Sequence, residues 1–433
     1  MQKEAAWLLG ELTGLREKGL LDEATVQRLR AHYGPAAASA GLGWGMILLA
    51  TAGAALIGLG IILIFAHNWE NWPPAVRVAL SLLPLLVGQV AVVAGLRRGR
   101  AWQEASGLFT AVAIGASIAL IAQTYQMGGD LPSFLLTWML LALPLVYVLD
   151  ASAVAAVCWL LALGWAFASN DGNFWNPGAS VQDILRLPTF LLLYCLPLPH
   201  LLRHIRLDRA GARVAWMLRT SLPVLALGIF AASFGAGVSG LVLVYAALSA
   251  VAALAGARYF AAINGLWGNP MLGAGRFGVF ALTLVAASHE LLRTSDLPNS
   301  SLAPLVLILS ATAFWLAWRG WQDGDRLLAP MLGLFAPLLG LEIALADRQA
   351  VLSLVVSHLY ALGLAGALIR TGLRESKLGL ANQGVLLVSA LVLIRFFDSD
   401  LSYVVRGIGF IVTGVGFFAA VAWLRRQLQE TPA

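Results

Sequence analysis

The chain has 433 residues, of which 60% are hydrophobic and only 12% charged, with a mean hydropathy of +0.81. Soluble domains carry about 25% charged residues, so this chain cannot clothe a water-facing surface, which excludes a soluble enzyme, a secreted disulfide scaffold and a nucleic-acid-binding domain. The formal net charge of +6 does not point to nucleic acid either, because most basic residues sit in short loops between apolar stretches.

Residues 1–40 form the one sizeable polar segment. Trp7, Leu8, Leu12 and Leu15 recur at helical spacing, and Gly19 is placed to end that helix. Asp22 can cap a second helix with Val26, Leu29 and Tyr33 on one face, which Gly34-Pro35 stops. The segment is therefore expected to be a small cytoplasmic helical hairpin. It is followed by a transmembrane helical domain over 41–426 and a short cytoplasmic tail over 427–433.

Fourteen apolar stretches follow, near 42–66, 74–96, 105–122, 131–149, 151–169, 187–202, 214–234, 236–257, 277–292, 302–318, 327–346, 350–369, 378–394 and 401–424. A bilayer crossing needs about 17–25 residues of helix. The ninth stretch is short, and the sixth is interrupted by Pro188, Pro197 and Pro199. The expected fold class is all-α: a polytopic transmembrane helical bundle of about fourteen spans in hairpin pairs. Cys158 and Cys195 both lie inside apolar stretches and read as small core residues.

Orientation follows from the loops, since cytoplasmic loops concentrate Arg and Lys. With both termini cytoplasmic, Arg97, Arg98 and Arg100, then Arg203, Arg206, Arg209 and Arg213, fall inside, as do Arg258, Arg276, Arg319, Arg326, Arg370, Arg374 and Lys377. The outer half keeps only Arg77, Arg186, Arg293, Arg348, Arg395 and Arg406.

Three segments carry a resemblance. LREKGLLDEATVQRLRAHYG leads into GLGIILIFAHNWENWP, and IALIAQTYQMGGDLPSFLLTWMLLALPLVYV follows. Together, over residues 5–150, they resemble the bacterial membrane-protein family catalogued as domain of unknown function 2157. The closing RFFDSDLSYVVRGIGFIVTGVGFF resembles the last hairpin of its longer members. The resemblance implies a multi-pass protein of the bacterial cytoplasmic (inner) membrane with a small cytoplasmic N-terminal domain. It implies no reaction.

Chemistry-bearing residues gather at the outer ends of the spans. A charge at the bilayer centre costs about 2.5–3.5 kcal/mol, so depth decides which of them asks for a purpose. His67 and Glu70, three apart, can meet one ligand or serve as interfacial caps beside Trp69 and Trp72. Gln123, Tyr125 and Asp130 can line a polar pocket or satisfy a neighbouring helix. His289 and Glu290 lack the second histidine that a zinc-peptidase helix needs. Glu342 is the deepest carboxylate and His358 the deepest histidine, a pair suited to proton relay or to structural contact. Arg395 and Asp398 can pair on one helical face, and Arg406 begins the last span; outer arginines can grip a phosphate or carboxylate. His200 and His204 have ligand spacing, but the neighbouring Arg203 and Arg206 disfavour another cation, so they read as solvated loop or lipid-headgroup contact. No metal site and no cofactor are expected.

Two functions stay open with comparable support. One is a transporter or binding protein for a small or amphipathic solute, with an outward-facing site between hairpins. The other is a scaffold or regulatory subunit in which residues 1–40 bind a protein partner or a second copy. A membrane-embedded enzyme ranks below both, because the outer loops are too short to build much of an active site. Membrane lipids are expected partners and nucleic acid is not.

Overall fold

The structure is a computed structural model. It describes residues 11–12, 15–16, 18–19, 21–29, 69–170, 181–233, 238–263, 268–287, 302–346, 350–398, 411 and 414–415, with backbone only at 70, 181–184, 346, 350 and 395–398. The chain divides into two compact units, residues 1–77 and 78–433.

The first unit is described at short stretches between residues 11 and 29 and again from residue 69. Gly19 takes φ +70°, the left-handed conformation that ends a helix without a Cβ penalty. Residues 23–29 are helical, and the Thr25 and Val26 amides donate to the Asp22 carbonyl. Leu12 and Val26 are buried, and Arg16 pairs with Glu23 at 3.0 Å. Trp69–Asn71 form one 3-10 turn, where the Trp69 and Trp72 rings meet edge to face.

From residue 74 the described chain runs through α1 (Pro74–Gly95), α2 (Arg100–Thr124), α3 (Leu131–Val148) and α4 (Ser152–Ala168). Then come α5 (Val181–Cys195), α6 (Leu198–Leu207), α7 (Ala212–Ala232), α8 (Val238–Tyr259) and α9 (Pro270–Ala287). The last are α10 (Ala303–Gln322), α11 (Leu328–Gly333), α12 (Phe335–Ala346), α13 (Ala350–Arg374) and α14 (Leu378–Asp398). No strand occurs among the described residues.

Eight of these helices are long and apolar enough to cross a membrane, or nine if α5 and α6, bent by 42°, count as one broken span. That is fewer than the fourteen stretches of the sequence. The stretches near 151–169, 327–346 and 378–394 form shorter apolar helices. Those near 42–66 and 401–424 lie largely outside the described residues.

The break between α5 and α6 has a local cause and a local repair. Pro197 and Pro199 lack amide donors, so the carbonyls one turn before them lose their helical partners. The Leu196 amide turns back to the Leu193 carbonyl at 3.2 Å, and aromatic side chains serve the carbonyls beside it: Trp159 Nε1 donates to Tyr194 at 3.1 Å and the Tyr147 hydroxyl to Leu196. Trp159 and Phe190 are fully buried here, in the core around α3, α4, α5 and α7. A second core gathers α8 to α14 around Phe335, with the ring of Tyr360 stacked on it.

In a bilayer, helices associate by close packing rather than by hiding apolar surface from water. The α8–α9 pair is built that way: a Cβ added at Gly275 would collide with the Ala253 backbone, and one at Gly256 with the Leu272 backbone.

Candidate functional site

The ninth apolar stretch begins earlier in space than its hydropathy suggests. Asn269 is fully buried; its Oδ1 accepts from the Leu272 amide at 3.1 Å, and its Nδ2 donates to the Gly256 and Phe260 carbonyls, both at 2.9 Å. With Pro270 in the first turn, this starts α9 seven residues before the expected 277. Arg276 is thereby a helix residue in the second turn, not the loop residue the sequence suggested. Gly275 faces α8, and Arg276, about 100° further round the helix, faces another way.

It faces a cavity. A space of about 550 Å³ lies between α9, α11, α13 and α14, walled by Val279, Phe280, Leu332, Leu364, Leu368 and Leu387. Phe277 and Leu386, both largely exposed, are among the residues that line it, so its wall has an apolar, exposed side. Arg276 and Gln383 are its polar residues. Both also line a second cavity of about 650 Å³, a polar vestibule with Arg258, Asp323, Asp325, Glu375 and Lys377. The vestibule lies where α8, α10 and α13 end and α9, α11 and α14 begin, which is the arginine-rich end of the bundle.

The vestibule charges are largely matched with one another. Arg258 pairs with Asp323, Lys377 with Glu375 at 2.8 Å, and Asp325 accepts from the amide of Leu328, the first residue of α11, at 3.0 Å. Arg276 differs: it is half-buried, and its Nε is buried with no hydrogen-bond partner among the described residues. Glu375 and Asp325 reach it through their field alone. A guanidinium between an apolar pocket and a polar vestibule suits an anion with an apolar tail.

The same two helices lead on to Glu342. Beyond Phe280 on α9 come Thr283 and Ala286; beyond Leu364 on α13 come Tyr360 and Ser357. These residues and Glu342 line a small cavity of about 10 Å³, room for about one water. Glu342 is 3% exposed, the buried carboxylate of the described residues, and shares the cavity with Ser357, whose hydroxyl donates to the Ser353 and Leu354 carbonyls. Arg276 and Thr283 are seven residues apart, a rise of about 10 Å.

Residues 13–155 match the family model described as Predicted membrane protein (DUF2157). The match covers about a third of the chain and agrees with the resemblance drawn from residues 5–150. It includes α1 to α3 and the first turn of α4, and ends before the Arg276 cleft. No curated protein and no solved structure matches the chain.

The structure separates the sequence candidates into groups. Gln123 and Tyr125 are exposed at the α2–α3 turn, and Asp130 caps α3 by accepting from the Ser133 amide at 3.0 Å. Glu342 and His358 lie on α12 and α13, where His358 Nδ1 donates to the Leu354 carbonyl at 2.7 Å and Glu342 lines the small cavity with Ser357 and Tyr360 instead. No hydrogen bond or ion pair joins these two groups among the described residues. His67, His289, Glu290 and Arg406, and the side chains of Glu70, Arg395 and Asp398, lie outside the described residues.

At the arginine-rich end the outcome for the two spaced histidines differs from the sequence reading. His200 and His204 are 2% and 7% exposed, not solvated. They pack against Asp150, in the short link between α3 and α4. Their helix α6 is amphipathic, and its inner face closes on that link rather than on headgroups. Sequence spacing marked the histidines, but only the fold brings Asp150 to them.

Proposed function

We propose that the protein binds an amphipathic anion, an apolar chain carrying a carboxylate or phosphate, in the Arg276 cleft and carries it through the bacterial inner membrane. In this reading the arginine-rich end faces the cytoplasm, as the positive-inside rule favours, and the ligand enters sideways past Phe277 and Leu386. The proposal thus puts the binding site at the inner end of the bundle. The single observation that carries it is Arg276, a guanidinium with a buried, unpartnered Nε between an apolar and a polar cavity. Glu342, further along the α9–α13 seam, supplies a protonatable group for coupling movement of the anion to a proton.

The test uses purified full-length protein in phosphatidylcholine nanodiscs, with oleate and oleyl alcohol as matched probes. Wild type is expected to favour oleate. Arg276→Gln should lose at least tenfold in oleate affinity while keeping that for the alcohol, since a charge-assisted hydrogen bond contributes about 1.5–3 kcal/mol. Leu364→Trp should weaken both probes by filling the apolar pocket. Equal binding of the two probes by wild type, or unchanged selectivity in Arg276→Gln, would reject the site. Proteoliposome uptake of oleate then tests carriage, with Glu342→Gln expected to abolish its dependence on a pH gradient.

A further inference from the structure

Asp150 is the hub of a polar cluster that the Arg276 cleft does not use. Its Oδ1 lies 3.0 Å from His204 Nε2 and 3.4 Å from His200 Nδ1. Its Oδ2 accepts from Arg213 at 3.0 Å. His200 and His204 stand one turn apart on one face of α6, with their rings 4.7 Å apart. The three ligand atoms, one from each residue, all lie within 4.8 Å of one another.

These separations have a chemical meaning. Around a tetrahedral zinc-class ion, with bonds of about 2.0–2.1 Å, neighbouring ligand atoms sit about 3.3 Å apart. Both nitrogen-to-oxygen distances are close to that value, and with all three atoms within 4.8 Å of one another a rotation of the imidazoles that draws their nitrogens together seats the ion. The surroundings also orient the ligands. The far nitrogen of His200 is 3.4 Å from Ser152 Oγ, which can accept its proton and leave Nδ1 free to bind. Arg213 donates to the same Ser152 hydroxyl and holds Oδ2, so the carboxylate presents Oδ1.

Nearby arginines are the objection to a cation here, and geometry answers most of it. Arg213 is shared with Glu104 at 3.4 Å, so its charge is matched apart from Asp150. Arg203 and Arg100 stand 3.7 and 3.8 Å from the Asp150 carboxylate with side chains 66% and 62% exposed, where water and salt screen them and they are free to swing away.

We infer that Asp150, His200 and His204 form a three-ligand site for a zinc-class divalent cation, with water in the fourth position, which clasps α6 to the α3–α4 link. The nitrogen-rich donor set favours zinc, cobalt or nickel over magnesium or calcium.

The experiment takes full-length protein without a histidine tag, stripped with EDTA in detergent and titrated with cobalt(II) as a spectroscopic stand-in for zinc. Wild type should bind one cobalt per chain with the visible absorption of a tetrahedral ion, displaceable by zinc. His200→Gln and His204→Gln should each weaken binding at least tenfold. If either variant fails to fold, the readout moves to wild type alone: X-ray absorption at the zinc edge should show two imidazole nitrogens and a carboxylate oxygen at about 2.0–2.1 Å. No stoichiometric cobalt binding, unchanged affinity in both variants, or a zinc shell without two imidazole nitrogens would each overturn the assignment.

Discussion

Asp150→Asn in metal-free protein tests whether the cluster at the arginine-rich end holds the first core together. Burial pushes the Asp150 carboxyl up, but hydrogen bonds from Arg213 and His204, together with their charges, outweigh it and hold the group below the usual carboxylate range. Asparagine removes the charge and turns one acceptor oxygen into a donor. Losing one partner of a buried pair costs about 3–5 kcal/mol. Two observations reduce that here: the Asp150 side chain is 32% exposed, and Arg213 keeps Glu104. The expected loss is therefore about 1–2 kcal/mol, in line with a screened, charge-assisted hydrogen bond.

The pH dependence gives the sharper signature. Because the folded-state pKa is depressed, the Asp150 contribution is fully present above the unfolded carboxyl value of about 3.9 and is lost as pH falls through the lower folded value. Reversible unfolding in mixed micelles, run at pH 7 and again near pH 3 with EDTA present, measures the gap between wild type and Asp150→Asn. The gap should be open at pH 7 and should narrow on acidification. A variant as stable as wild type at pH 7, or a gap that stays constant to pH 3, would refute the reasoning.

Other outcomes follow from single contacts. The Glu104 carboxylate accepts from the Ser152 and Ala153 amides at 2.9 and 2.8 Å, capping α4 from a neighbouring helix; Glu104→Ala should cost about 1 kcal/mol in the same unfolding assay. Gly275→Ala should cost about 1–3 kcal/mol, or prevent folding, because the colliding atoms belong to the Ala253 backbone and cannot rotate away. Tyr147→Phe removes the donor to the Leu196 carbonyl at the α5–α6 break and should cost about 0.6 kcal/mol, with faster amide exchange confined to that break.

Some of this was legible in the residues themselves. Gly19 and Asp22 mark the turn and the second helix of the N-terminal segment because capping is decided by a few adjacent residues. Pro188, Pro197 and Pro199 announced that the sixth apolar stretch would be irregular, and it is bent between α5 and α6. Glu342 was identifiable as the deep carboxylate by counting from the end of its span, and it is buried. Arg276 was misread as a loop residue because hydropathy places a helix start at the first long apolar run. The start is set instead by Asn269, whose side chain bonds two carbonyls of α8 and one amide of α9.

The sequence by itself determined the solvent, the helical class and the arginine-rich end of the bundle. Each depends on composition and local order along the chain: too few charges for water, and apolar runs whose backbone must satisfy itself in lipid. Which side chains meet was decided only by tertiary structure. Asp150 reaches His200 and His204 across fifty or more residues, and Arg276 faces the α9–α13 seam because Gly275 brings α8 against the other side of its helix. Such meetings depend on how helices rotate and cross, and in a bilayer that is set by the shapes of their small-residue faces rather than by hydropathy.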